Sequence, residues 1–224
     1  MRTPGSASMD TRSSFTSQYV LAAALFVRRA RAIEEEDLSN VTFQDTCEHR
    51  GLVTAAIMQC AAALETESNE ICVYGPGAHL GSKGTDEQAR LFLSQLAGVV
   101  DHQDTLSRFE LLLYLLRKQP LDRGREPFQS TTLLVRLRNE LVHYKSRWGA
   151  ELSSTKLFSA LEGLRHSPPP FVKLKVNFFP SRCLSADCGA WAVSTTVLFL
   201  DTVYASLGVK SRFDSVRERL RTEQ

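Results

Sequence analysis

Arg138, Asn139 and His143 lie in the run LLVRLRNELVHYKSRW, Leu133 to Trp148. Their side chains are of kinds that handle anions and protons. An imidazole takes or gives a proton near neutral pH. A guanidinium is always charged and can grip a phosphate in two places. An amide one helical turn from a histidine can orient it or hold a phosphate oxygen. The spacing has meaning if the run is a helix, where each residue turns the chain by roughly 100°. Asn139 and His143 then point together, with Arg136 next to His143. Arg138 and His143 are five apart and flank a narrow apolar strip of Val135 and Val142. Leu133, Leu137, Leu141 and Tyr144 share a different face, with Leu134 beside them, and that face is expected on the core. The core does not need the Val135–Val142 strip, so it is expected to be a seam with a partner helix or a second copy of the chain. The plainer reading is that helices commonly expose Arg, Asn and His, and that a short match of this kind arises by chance.

The chain of 224 residues is long enough for one sizeable core. A net charge of +2 argues against a general nucleic-acid coat, so any basic character must be local. The five cysteines, Cys47, Cys60, Cys72, Cys183 and Cys188, are odd in number and form no Cys-x-x-Cys pair. Neither a zinc site nor a disulfide framework is supported, no metal or cofactor is expected, and reduced thiols fit a cytoplasmic protein. Phe15 to Val27 is apolar but too short to span a bilayer, and Arg28, Arg29 and Arg31 follow it, which is wrong for a signal-peptide cleavage region. It reads as a core helix, with no membrane association.

The elements that must position the motif follow from apolar periodicity. Residues 1–14 read as a disordered lead, 15–210 as a single helical domain and 211–224 as a charged tail helix. The first helix is expected over about Thr16 to Asp37, burying Val20, Leu21, Ala24, Leu25 and Ala32. An alanine-rich second helix runs from about Cys47 to Glu70. Its acidic end, Glu65, Glu67, Asn69 and Glu70, reads as a solvated terminus, although Glu65 directly follows the buried run and could pair with an arginine of the motif helix. The glycine-rich Val73–Thr85 fails the phosphate-loop pattern, because Lys83 follows Ser82 and its spacing to Gly77 is wrong. Asp86 to Val100 is expected to be helical through Leu91, Phe92, Leu96 and Val99. Thr105 to Lys118 is apolar nearly all round, as in a helix buried mid-bundle. Pro120, Gly124 and Pro127 then break the chain before the motif helix, about Ser130 to Arg147. A shorter helix over Glu151–Leu164, an extended Ser167–Pro170, an irregular Phe171–Pro180 and a last core helix over Ala186–Leu207 complete an all-α bundle of about six or seven helices.

LVRLRNELVHYK resembles the signature helix of HEPN domains, helical bundles in which an arginine, a polar residue and a histidine are set with four to six residues between Arg and His. Arg138 and His143 match with four between, and Arg136 would match with six. Arg138 is preferred because Asn139 follows it directly. The order of helices extends the resemblance over Thr16 to Gly208. It implies a HEPN-like up-and-down bundle, a homodimer that brings two motif helices together, and in many members a metal-independent endoribonuclease of toxin–antitoxin, antiphage-defence or RNA-processing systems. An antitoxin or defence-complex protein is then an implied partner. Other members have lost catalysis and only bind nucleotide or RNA or scaffold a complex.

On that resemblance Arg138, Asn139 and His143 are the candidate catalytic residues, acting on RNA through its own 2′-hydroxyl and leaving a 2′,3′-cyclic phosphate. Such chemistry uses an acid and a base. One chain offers one good histidine, so a dimer joined along Val135 and Val142 would supply two. Arg136, Lys145 and Arg147 either hold the RNA backbone or merely keep the helix soluble, and Glu65 is a candidate supporting acid.

Overall fold

The computed structural model describes residues 14–76, 88, 91–93, 95, 98, 102–145, 155–173 and 175–223. The fold is an all-α bundle, and no strand occurs among the described residues. Helices α1 (Thr16–Glu34), α2 (Phe43–Tyr74) and α6 (Ala186–Leu207) form its centre, each packed on the other two. Helices α3 (Thr105–Leu115) and α4 (Phe128–Val142) lie against α2 and α6, and α5 (Lys156–Gly163) lies against α4.

Local chemistry sets several of these ends. A reciprocal capping box starts α2: Thr42 Oγ1 accepts from the Asp45 N–H at 3.2 Å, and Asp45 accepts from the Thr42 N–H at 2.8 Å. Ser185 caps α6, and Gly208, in the left-handed region at φ 75°, ends it. Asp104 caps α3 by accepting from the N–H groups of Leu106 and Ser107.

Small residues let the three central helices approach closely. Ala23, Ala24 and Ala30 of α1, Ala56, Ala61 and Ala63 of α2, and Ala186, Gly189 and Ala192 of α6 are all buried. At Gly189 a Cβ would stand 2.8 Å from Val27 Cγ2. Val27 is β-branched and fully buried, so it cannot swing aside. Gly189→Ala is therefore expected to lower stability by about 1–3 kcal/mol, despite alanine's better helix propensity, as read from urea denaturation.

The expected stripe of α1 is corrected in part. Val20 and Ala24 are buried, Leu25 is exposed at 42%, and Ala32 is exposed. The buried line runs instead through Val20, Ala23, Val27, Ala30 and Ile33, a choice that an alanine run leaves open to periodicity alone. Between α2 and α3 the residues described at 88, 91–93, 95 and 98 are helical, but Leu93 is the buried one while Leu91 and Phe92 are exposed. Leu96 and Val99, and the glycine-rich segment beyond residue 76, lie outside the described residues.

The mid-bundle position expected for the Thr105 helix belongs to α6. Helix α3 buries Leu106, Phe109, Leu112 and Leu113 on one side and leaves Tyr114 78% exposed. Phe109 and Phe128 both set their rings against Phe199 of α6, which fixes α3 and the start of α4 to the same core residue. Helix α6 is long and apolar enough to cross a membrane by length and composition, and in this bundle half of that stretch is buried. Its Leu198 is 53% exposed.

The tail does not form a separate charged helix. Residues 209–223 fold back onto α1, α2 and α6 and contain only a 3-10 turn, Arg217–Leu220. Phe213 is fully buried against Tyr204. Arg212 reaches Glu67 at 3.0 Å and Glu70 at 2.8 Å. The acidic end of α2 is thus solvated only in part: Asn69 is exposed, but Glu67 is 1% exposed, and the helix continues beyond it to Tyr74.

Candidate functional site

Three elements build the surroundings of the motif. Helix α4 carries Arg138 and Asn139, α2 presents Glu65, and the start of α3 brings Asp104, Thr105 and Arg108. Together they enclose a cavity of about 240 Å³. Leu134 and Leu137 are fully buried and set the rotation of α4. That rotation turns Arg138 toward α2, where its Nη2 lies 3.2 Å from Glu65 Oε1. The other branch, Nη1, donates to Asn139 Oδ1 at 3.0 Å. The pairing of Glu65 with a motif arginine, open from sequence, is with Arg138; Arg136 projects into solvent.

Helix α4 stops at Val142, short of the expected Arg147, and His143 is its C-cap. Residues 143–145 leave the helix as the Tyr144 ring turns to Phe179, with centroids 5.8 Å apart. Tyr144, placed on the core face by helical count, is consequently 42% exposed. The last turn still holds, because the His143 N–H donates to the Asn139 carbonyl at 2.9 Å. Asn139 and His143 are both exposed, and among the described residues the His143 ring has no hydrogen-bonding or ionic partner. Arg138 points into the cavity and His143 sits at the helix end outside its walls. Among the described residues no hydrogen bond joins the two side chains within one chain.

The Val135–Val142 strip is not one surface. Val135 packs on the chain's own core and walls the cavity, whereas Val142 is 48% exposed. Among the expected phosphate contacts, Arg136 and Lys145 are exposed and Arg147 lies outside the described residues.

The Glu65–Arg138 pair is open to water, with side chains 41% and 30% exposed. It holds the guanidinium in place but adds little to folding. Glu65→Gln is expected to change stability by less than about 1 kcal/mol in thermal or urea denaturation. Sequence reasoning missed Arg108, because its helix reads as apolar nearly all round. Arg108 donates from Nε to the Gln103 carbonyl at 2.9 Å and from Nη1 to Asn69 Oδ1 at 2.8 Å. Among the described residues no group of three or more His, Cys, Asp or Glu side chains is placed to hold a metal ion. In comparison with known proteins, no family model matches the chain, and neither the curated proteins nor the solved structures contain a match to it.

Proposed function

We propose that this chain is a HEPN-type, metal-independent endoribonuclease acting as a homodimer, in the manner of toxin or antiphage-defence effectors. The observation that carries the reading is the arrangement on α4: Arg138 on the wall of a cavity shared with Glu65, Asp104 and Arg108, with an exposed imidazole, unpartnered among the described residues, at the end of the same helix. Arg138 stabilises the charge that builds on phosphorus as the ribose 2′-oxygen attacks. The P–O5′ bond breaks, giving a 2′,3′-cyclic phosphate and a 5′-hydroxyl. One His143 takes the 2′-hydroxyl proton and the partner copy's imidazole protonates the leaving 5′-oxygen. Asn139, one turn from His143, steadies Arg138 and presents its amide at the same edge.

One observation favours a second reading. Arg138 is engaged by both Glu65 and Asn139, and a resting site of that kind also suits a module that binds RNA or nucleotide without cutting it. Incubation of the purified protein with total RNA in EDTA separates the two. The ribonuclease reading expects cleavage, products ending in cyclic phosphate, and loss of activity in both Arg138→Ala and His143→Ala. Intact RNA that nonetheless shifts with the protein in a gel favours the binding module. Cleavage that EDTA abolishes and both substitutions spare would overturn the assignment of the site.

A further inference from the structure

We propose that Arg108 and Arg138 together form a subsite for a backbone phosphate of the RNA. This rests on the ribonuclease reading and names a substrate-binding residue that the motif does not contain. Arg108 and Arg138 come from different helices, α3 and α4, and both line one cavity. That cavity measures about 240 Å³, which leaves room for a phosphate group.

Two features make the cavity suited to an anion although Glu65 and Asp104 also line it. Asp104 spends its carboxylate on its own helix: it accepts from the N–H groups of Leu106 and Ser107 and, at 2.6 Å, from the Ser107 hydroxyl. The Ser107 hydroxyl above all holds that carboxyl below its ordinary range. Glu65 already sets a carboxylate oxygen against Arg138, which shows that an anionic oxygen is accommodated there. Its side chain is 41% exposed, so it can swing out when a phosphate arrives. Arg108 is pre-aimed by the Gln103 carbonyl and Asn69, which reduces the ordering cost of gripping a ligand.

The test is fluorescence anisotropy of a short labelled 2′-O-methyl RNA, which cannot be cleaved, titrated with the full chain across a salt series. Kinetics on the matching cleavable RNA run alongside. Arg108→Gln is expected to weaken binding about tenfold and to flatten the salt dependence by about 0.7 in log K against log salt, and kcat/KM on the cleavable RNA falls at least as far. Arg108→Lys keeps the salt slope while losing part of the affinity. Arg123→Gln is the control, since Arg123 lies outside the cavity and pairs with Glu110 at 2.6 Å; it should bind as the wild type does. Should Arg108→Gln not fold, Asn69→Ala replaces it: the charge stays, and affinity falls because its anchor is gone.

Wild-type affinity and slope in Arg108→Gln, or in Asn69→Ala if that variant stands in, would overturn the subsite while leaving an RNA-cleaving wild type intact. Equal losses in Arg123→Gln would overturn it too, because binding would then follow overall charge. A wild type that neither binds nor cuts RNA removes the subsite together with the reading beneath it.

Discussion

His143→Ala is expected to slow RNA cleavage by about a hundred- to ten-thousand-fold, with no fall in melting temperature. The ring is exposed and has no partner among the described residues, so its removal empties no core space and orphans no buried group. The one bond His143 gives the helix comes from its backbone N–H to the Asn139 carbonyl, and alanine keeps that bond. Proton transfer is what disappears. Arg138→Ala should cost activity on a similar scale but also leaves Glu65 without its counter-ion, so a small change in stability accompanies it. The contrast between these two variants separates catalysis from folding. A His143→Ala protein that cuts RNA at the wild-type rate would take the imidazole out of the mechanism.

What was legible in the sequence depended on how local the signal was. Helix α6 runs over Ala186–Leu207 as read, because Ser185 and Gly208 are start and stop residues in their own right. The Glu65–Arg138 pair was foreseeable because a carboxylate directly after a buried run has few places to go, and the motif helix offered the opposite charge. The end of α4 was not foreseeable. No glycine or proline occurs between Pro127 and Gly149, and the chain leaves the helix as Tyr144 turns to Phe179, a contact between residues far apart in sequence. Arg108 was hidden for a related reason: a leucine-rich helix suggests burial all round, and only its packing against α2 and α6 shows which side stays polar.

The tail was the largest departure, and it carries the largest expected effect on stability. Arg212→Ala should lower stability by about 3–5 kcal/mol in urea denaturation. Its guanidinium bridges Glu67 and Glu70, one turn apart on α2, and the three side chains are 6%, 2% and 11% exposed. Charged residues are almost never buried unless paired, so from sequence the two acids read as part of a solvated terminus and Arg212 as part of a charged tail. Burial pushes the Glu67 carboxyl up from its ordinary value of 4.5, and Arg212 works against that push. Without Arg212 only the Thr16 and Tyr204 hydroxyls work against the push, and the neighbouring Glu70 adds to it.

The sign of the pH dependence follows from this. A carboxyl raised in the folded state stabilises most below its unfolded value, and that stability drains away as pH rises through the folded value. The deficit of Arg212→Ala relative to wild type should therefore shrink as pH is lowered from 7 toward 4.5, the ordinary value for glutamate. Converting Glu67 and Glu70 to Gln in the same background should recover much of the loss, because the buried charge is then gone along with its partner. A loss under about 1 kcal/mol, equal at both pH values, would mean that water takes the place of the guanidinium and that Phe213 and Leu220 alone hold the tail to the bundle.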